Sequence, residues 1–238
     1  MKRIGIIVAL RAEARCITRR YVPFNQTVAL DDKILIRICG MGNEAAYTAA
    51  AELYNREAVV GLVSFGVAGA LDESLQPGCL VLPETVLMSE QQYATSDGWR
   101  TRIQHCLPAH IAITHKPLIT SREVLATTTA KHALATRSGG CAVDMESGAI
   151  ATVAAEKNIP FITIRAIADP VEFSPPAVLM QALQPDGRIK LLPLLTLLAK
   201  RSLTLRELLQ LAPGMRAACK TLQQVMQYAQ HELKDPLN

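Results

Sequence analysis

Aromatic residues are scarce: one tryptophan, five tyrosines and four phenylalanines stand among 238 residues. The core must therefore be packed by Ala, Leu, Ile and Val, and with half of its residues hydrophobic the chain can bury a full one. No CxxC pair occurs among the six cysteines (Cys16, Cys39, Cys79, Cys106, Cys141 and Cys219), so neither a disulfide framework nor a zinc site is indicated. No apolar run is long enough to span a bilayer. Charge follows the N-terminal run Ile4 to Leu10 too soon for a signal peptide, and the run reads as a strand in a cytoplasmic protein. His105, His110 and His115 recur every five residues, a spacing that shares neither a helix face nor a strand face. No acid or thiol pattern completes a metal site with them, so they read as surface or loop residues and no metal is expected.

Excess charge is missing from most of the chain. Residues 1–184 hold 17 Lys/Arg and 17 Asp/Glu, whereas residues 185–238 hold 8 and 4, which accounts for the whole net charge of +4. A neutral body, 1–184, thus carries a basic, leucine-rich helical C-terminal extension, 185–238, expected to pack on the same domain. No nucleic-acid motif is present, and so modest an excess does not imply DNA or RNA as a partner.

What is present centres on Val143 to Pro170, VDMESGAIATVAAEKNIPFITIRAIADP. Ser147, Gly148, Ala149 and Ala151 give a helix with one small face, and Ile150, Val153 and Ala154 add an apolar stripe. Asn158 and Pro160 end that helix, and Phe161 to Ile167 is a short β-branched run suited to a buried strand. Glu146 falls at the start of the helix and Asp169 just past the strand, where ligands of α/β sheets collect. Each carboxylate alone is better explained by a helix N-terminus or a turn.

Upstream, Lys2 to Leu10 reads as a buried strand, followed by a helix from Arg11 to Arg20 with Glu13 in its first turn. Val28–Leu30 and Ile34–Cys39 form a hairpin around Asp31-Asp32. Gly40-Met41-Gly42-Asn43 then leads into a helix, Glu44–Asn55; it lacks the full GxGxxG fingerprint and reads as structural. Val59 to Phe65 is a strand running into Gly66-Val67-Ala68-Gly69-Ala70, whose glycines permit close backbone approach. Leu80 to Val86 continues as a strand. Residues 87–116, with Tyr93, Trp99 and the histidines, read as a surface excursion over a pocket. Ser174-Pro175-Pro176 breaks the chain, residues 185–187 make a turn, and helical patterns follow over 189–209 and 215–233.

Met145-Glu146 and Arg165-Ala166-Ile167-Ala168-Asp169, with the Gly66–Ala70 segment, resemble the nucleoside phosphorylase and nucleosidase superfamily, which includes the methylthioadenosine/adenosylhomocysteine nucleosidases. The resemblance implies a three-layer α/β/α sandwich around a central mixed sheet, purine nucleoside phosphorylase-like, and cleavage of a purine nucleoside's N-glycosidic bond with release of adenine. It assigns Asp169 as the acid that protonates the purine and Glu13 as the base that activates water. Glu146 becomes the ribose ligand with Met145 packing the sugar, and Val67, Ala68 and Gly69 lie against base and ribose. Val124 and Leu125 sandwich the purine, and Arg165 orients the site. Phosphate is an alternative co-substrate, with Arg11 and Arg122 as its candidate ligands. Against it, Ser64 stands where the phosphorylases carry an arginine, and Val67 replaces the loop's usual hydroxyl. No cofactor is implied, and a homodimer is.

The tail, a DGR turn followed by leucine-rich basic helices, is similar to the hopanoid-biosynthesis-associated branch. That similarity implies adenosylhopane, a lipid-linked nucleoside, as substrate, and peripheral membrane contact through the basic segment. A non-catalytic nucleoside- or lipid-binding protein on the same fold is the alternative.

Overall fold

Short runs of β-branched residues make the strands at the centre of the molecule. β1 (Ile4–Val8), β3 (Ile34–Ile38), β4 (Gly61–Ala70) and β11 (Phe161–Asp169) are buried along nearly their whole length. Because helices cover both faces, these strands read as continuous apolar runs. The computed structural model describes residues 2–125, 127–173, 184, 186 and 205–236. Between and after those strands come α1 (Arg11–Ile17), β2 (Thr27–Ala29), α2 (Asn43–Glu57), β5 (Leu80–Val81), β6 (Thr85–Met88), β7 (Gln91–Ala94) and α3 (Asp97–Cys106). They are followed by β8 (Ile113–Thr114), β9 (Leu118–Thr120), α4 (Thr128–Ser138), β10 (Ala142–Asp144), α5 (Ser147–Glu156) and α6 (Leu205–Ala229).

The strands join into one mixed sheet in the order β2-β3-β1-β4-β10-β9-β6-β7, with β11 against β4 and β5, and β8 against β5. Alternate side chains enter opposite layers. Ile4, Ile6, Val8, Ile34, Ile36 and Ile38 meet residues of α1, α3 and α6 on one face. Ile7 and Leu35 meet α2 and α5 on the other. The architecture is the three-layer α/β/α sandwich, purine nucleoside phosphorylase-like, that the motifs imply.

β4 positions the site. One of its edges pairs with β11 from Leu62 to Gly69. Its other edge pairs with β1 only from Gly61 to Ser64, and with β10 only at Gly69 and Ala70. Phe65 to Ala68 therefore face a gap between two diverging strands, the kind of switch point where α/β sheets bind ligands.

Three expectations change here. Gly66–Ala70 is not a turn or loop; it continues β4, because β11 pairs with Gly66 through Gly69 and β10 pairs with Gly69 and Ala70. Leu80 to Val86 is not one strand, since Pro83 separates β5 from β6. Trp99 is not on the surface: it lies 1% exposed in the core, and its Nε1 donates to the Glu232 carbonyl oxygen at 2.9 Å. The expected break at 174–176 and most of the helical pattern over 189–209 lie outside the described residues.

α6 is part of the sandwich itself. Ala218, Leu222, Val225, Met226 and Ala229 share one cluster with Val63, Phe65, Ile164 and Trp99. Gly214 makes the closest approach, since a Cβ there would stand 1.9 Å from the Ala168 carbonyl oxygen of β11. Gly214→Ala is accordingly expected to cost about 1–3 kcal/mol through forced separation of helix and strand. Urea denaturation measures it, and an unchanged midpoint would show that the approach is not tight.

Candidate active site

Four carboxylates and two cations gather along the exposed length of β4. α1 starts directly after β1, so Glu13 in its first turn is carried back over the strand end. Its Oε2 accepts from the amides of Ala9 (2.9 Å) and Leu10 (2.8 Å), and its Oε1 accepts from Val67 N–H at 2.8 Å. The side chain is buried and bridges the gap between β1 and β4. Gly66 makes this arrangement possible: a Cβ on it would lie 2.3 Å from Glu13 Oε1 and 2.6 Å from Arg165 Nη1.

Arg165 stands beside Gly66 in the β4–β11 register and is 1% exposed. It donates from Nη1 to the Val67 carbonyl (3.1 Å), from Nη2 to Ser64 Oγ (2.8 Å) and from Nε to Ser147 Oγ (3.3 Å). It also pairs with Asp144 at 2.9 Å, Glu146 at 3.5 Å and, more distantly, Glu13 at 3.9 Å. Glu146 occupies the position just before α5 without capping it, and its Oε1 accepts from Gly42 N–H at 2.9 Å. The Gly40–Asn43 segment, read as structural from sequence, thus also holds a site carboxylate. Asp144, at the end of β10, accepts from Thr120 Oγ1 at 2.8 Å and from Ser147.

Three buried carboxylates share one guanidinium, and burial dominates the ionisation of two of them, Glu13 and Glu146. It raises Glu13 above the ordinary carboxylate range against the opposing pull of Arg165 and the three amides. It pushes Glu146 up to about 7; Arg165 opposes this, while Asp144 and Glu13 add to it.

Asp169 ends β11 beside Gly69, where a Cβ would stand 2.8 Å from its Oδ2. That oxygen accepts from Lys131 Nζ at 2.6 Å. Burial raises Asp169, with Lys131 pulling the other way. Val67, Ala68 and Gly69 run as backbone between the Glu13–Arg165 cluster and Asp169. One end of the stretch presents carboxylate oxygens and the other a carboxyl group beside an ammonium.

Residues 3–182 match the phosphorylase superfamily. The chain belongs to that superfamily. A 5′-methylthioadenosine/S-adenosylhomocysteine nucleosidase of Buchnera aphidicola is 24% identical over 196 residues, 70% of this chain and 78% of that protein. Among solved structures, a nucleosidase of the same type from Colwellia psychrerythraea, in complex with adenine, superposes with a TM-score of 0.72. It is 18% identical, with 98% of this chain and 96% of that one covered. Futalosine hydrolase of Helicobacter pylori superposes at 0.68 with 16% identity, covering 95% of this chain and 97% of that one. At such identities the structures establish the superfamily's fold.

The remaining candidates take no part in these hydrogen bonds and ion pairs. Arg11 is not open to a phosphate: its Nε pairs with Asp186 at 2.5 Å and its Nη1 donates to the Val22 carbonyl at 3.2 Å. Arg122 is exposed in the connection between β9 and α4, and Val124 and Leu125 are half-buried in it. Met145 is half-buried between Asp144 and Glu146. Asp144, Ser64, Ser147 and Lys131 carry no chemical role in the sequence reading. Only Asp144 had a local signal, an acid immediately before the Met-Glu pair.

Proposed function

We propose that this superfamily member hydrolyses the N-glycosidic bond of an adenine nucleoside. The observation that carries the reading is the separation of roles along Val67–Gly69. Asp169 stands at one end to protonate the departing base at N7, and Glu146 and Glu13 stand at the other to hold the ribose and take a proton from water. Bond cleavage builds positive charge on the sugar and negative charge on the base, so an acid beside the base and carboxylates beside the sugar favour the transition state over the ground state. The two carboxyl roles parallel those of glycoside hydrolysis. Met145 packs the sugar, Val124 and Leu125 flank the purine, and Arg165 orients the carboxylates.

Water is favoured over phosphate by charge. Glu13, Asp144 and Glu146 surround Arg165, whose donors are already committed within the protein, and Arg11 is held by Asp186. An incoming phosphate would meet net negative charge in a desolvated site. Adenine release from 5′-methylthioadenosine, S-adenosylhomocysteine, adenosine and an adenosine bearing a long apolar 5′ group, each with and without phosphate, tests this. Release independent of phosphate is expected, and Glu13→Gln should lower it about 100-fold or more. Strict dependence on phosphate would overturn the hydrolytic reading.

For the 5′ substituent we propose a large apolar group, as in adenosylhopane, with the enzyme acting as a cytoplasmic homodimer whose basic tail rests on the membrane that holds the substrate. The leucine-rich, basic sequence beyond residue 185 supports this reading. Among the described residues no helix is long and apolar enough to cross a membrane, so surface contact is the form proposed. Preference for the apolar substrate in the same panel is the expected result. Equal or better turnover of 5′-methylthioadenosine would refute it.

A further inference from the structure

The proposed mechanism leaves one buried charged residue unused. Lys131 is 1% exposed and is the buried residue of α4, a helix whose sequence, TTAKHALATRS, is small or polar apart from Leu134. Its Nζ donates to Asp169 Oδ2 at 2.6 Å, to the Pro170 carbonyl at 2.7 Å and to the Phe173 carbonyl at 2.9 Å. Three acceptors around one nitrogen use all three N–H groups of an ammonium, and a neutral amine would turn its lone pair on one of them. Through these three contacts Lys131 fixes Asp169 to the chain that leaves β11. Asp169 Oδ1 has no partner among the described residues.

We propose that Lys131 is a positioning residue that selects Oδ1 of Asp169 as the proton-carrying oxygen and stabilises the carboxylate left when that proton departs. This role rests on Asp169 being the acid of the reaction proposed above. In the step, the Oδ1–H bond breaks and an N–H bond forms on the base. The electron pair of the glycosidic bond stays with the base, and the new negative charge on Asp169 sits beside the ammonium. Oδ2, already accepting from Lys131, is the less basic oxygen and does not compete for the proton. The other charged groups nearby do not share this role, since Glu13, Asp144, Glu146 and Arg165 form their own cluster and Glu172 is exposed. Burial raises Asp169 and Lys131 opposes it, which agrees with the geometry.

A helix anchor and an acid-tuning group make different predictions. The Asp169 carboxyl carbon, assigned by its loss in Asp169→Asn, is titrated by NMR in the wild type and in Lys131→Met, Lys131→Gln and Lys131→Arg. Without the ammonium, the midpoint should rise by about one pH unit or more in Lys131→Met and Lys131→Gln, whereas Lys131→Arg should keep it near the wild-type value. Using 5′-methylthioadenosine as probe, the alkaline limb of kcat/KM should move upward with it, and the plateau should fall about 10- to 100-fold. The same midpoint in Lys131→Gln or Lys131→Met as in the wild type would reduce Lys131 to an anchor and overturn the proposal. Adenine release retained in Asp169→Asn would instead overturn the acid assignment, and it is read in a different variant.

Discussion

Asp169→Asn should abolish adenine release and leave the fold standing. The substitution keeps the shape of the side chain and an acceptor for Lys131, but it removes the transferable proton. General-acid groups contribute about 10²–10⁴ in rate, and kcat/KM is expected to fall within that range. Some stability should be lost, because the neutral amide avoids the burial penalty on a charge at this position but leaves the buried Lys131 without its carboxylate. The wild-type pH dependence has a fixed sign: the acid works only when protonated, so activity falls as pH rises through the pKa of Asp169. Adenine release and thermal denaturation measured on the same preparation decide the matter. A folded Asp169→Asn protein that still releases adenine would remove Asp169 from the chemistry and leave a binding protein as the better description.

Arg165→Met should have the largest effect on stability. The substitution conserves much of the volume but leaves Glu13, Asp144 and Glu146 buried with no cation among them. Breaking a buried ion pair from one side costs about 3–5 kcal/mol, and here one side serves three partners. Part of the loss should depend on pH. Burial places Glu146 at about 7, above the ordinary 4.5. A raised carboxyl of this kind binds a proton in the folded state that the unfolded chain releases. Its contribution is full below about 4.5 and is lost as pH climbs toward 7. Without Arg165 both Glu13 and Glu146 are raised further, so the window extends upward and the deficit of the variant grows with pH. Urea denaturation at pH 5 and pH 8 should show the wider gap at pH 8. Equal gaps would mean that Glu13 and Glu146 do not depend on Arg165 for their ionisation.

Strands buried on both faces were legible because they are local: IGIIV, ILIRI and FITIRAI carry their β-branched character in a few consecutive residues. Glu146 and Asp169 were legible because the helix and strand between them fix their spacing. Trp99 was misplaced for the opposite reason. It sits in a charged stretch, and the groups that bury it, α6 and the Glu232 carbonyl, lie more than a hundred residues away. Lys131 gave no signal for the same cause, since nothing in a polar helix indicates that a carboxylate and two carbonyls will close around its ammonium. The extension of β4 through Gly66–Ala70 was hidden because glycines mark turns as readily as close approaches. Here the close approach wins, for two side chains cross above Gly66 and one stands against Gly69.

The place of α6 in the sandwich bears on how the protein is made. A ribosome that has finished Asp169 has delivered every described strand, yet the roughly 60 residues through Ala229 are still to come. At 5–20 residues per second they take on the order of 3–12 s. For that interval Val63, Phe65 and Ile164 lack the cover of α6, and α1, which carries Glu13, lacks the neighbour against which Ala14 and Cys16 pack. The nascent sheet is therefore a natural client for a chaperone, and the seat of Glu13 can be completed only once the helix that covers it has emerged.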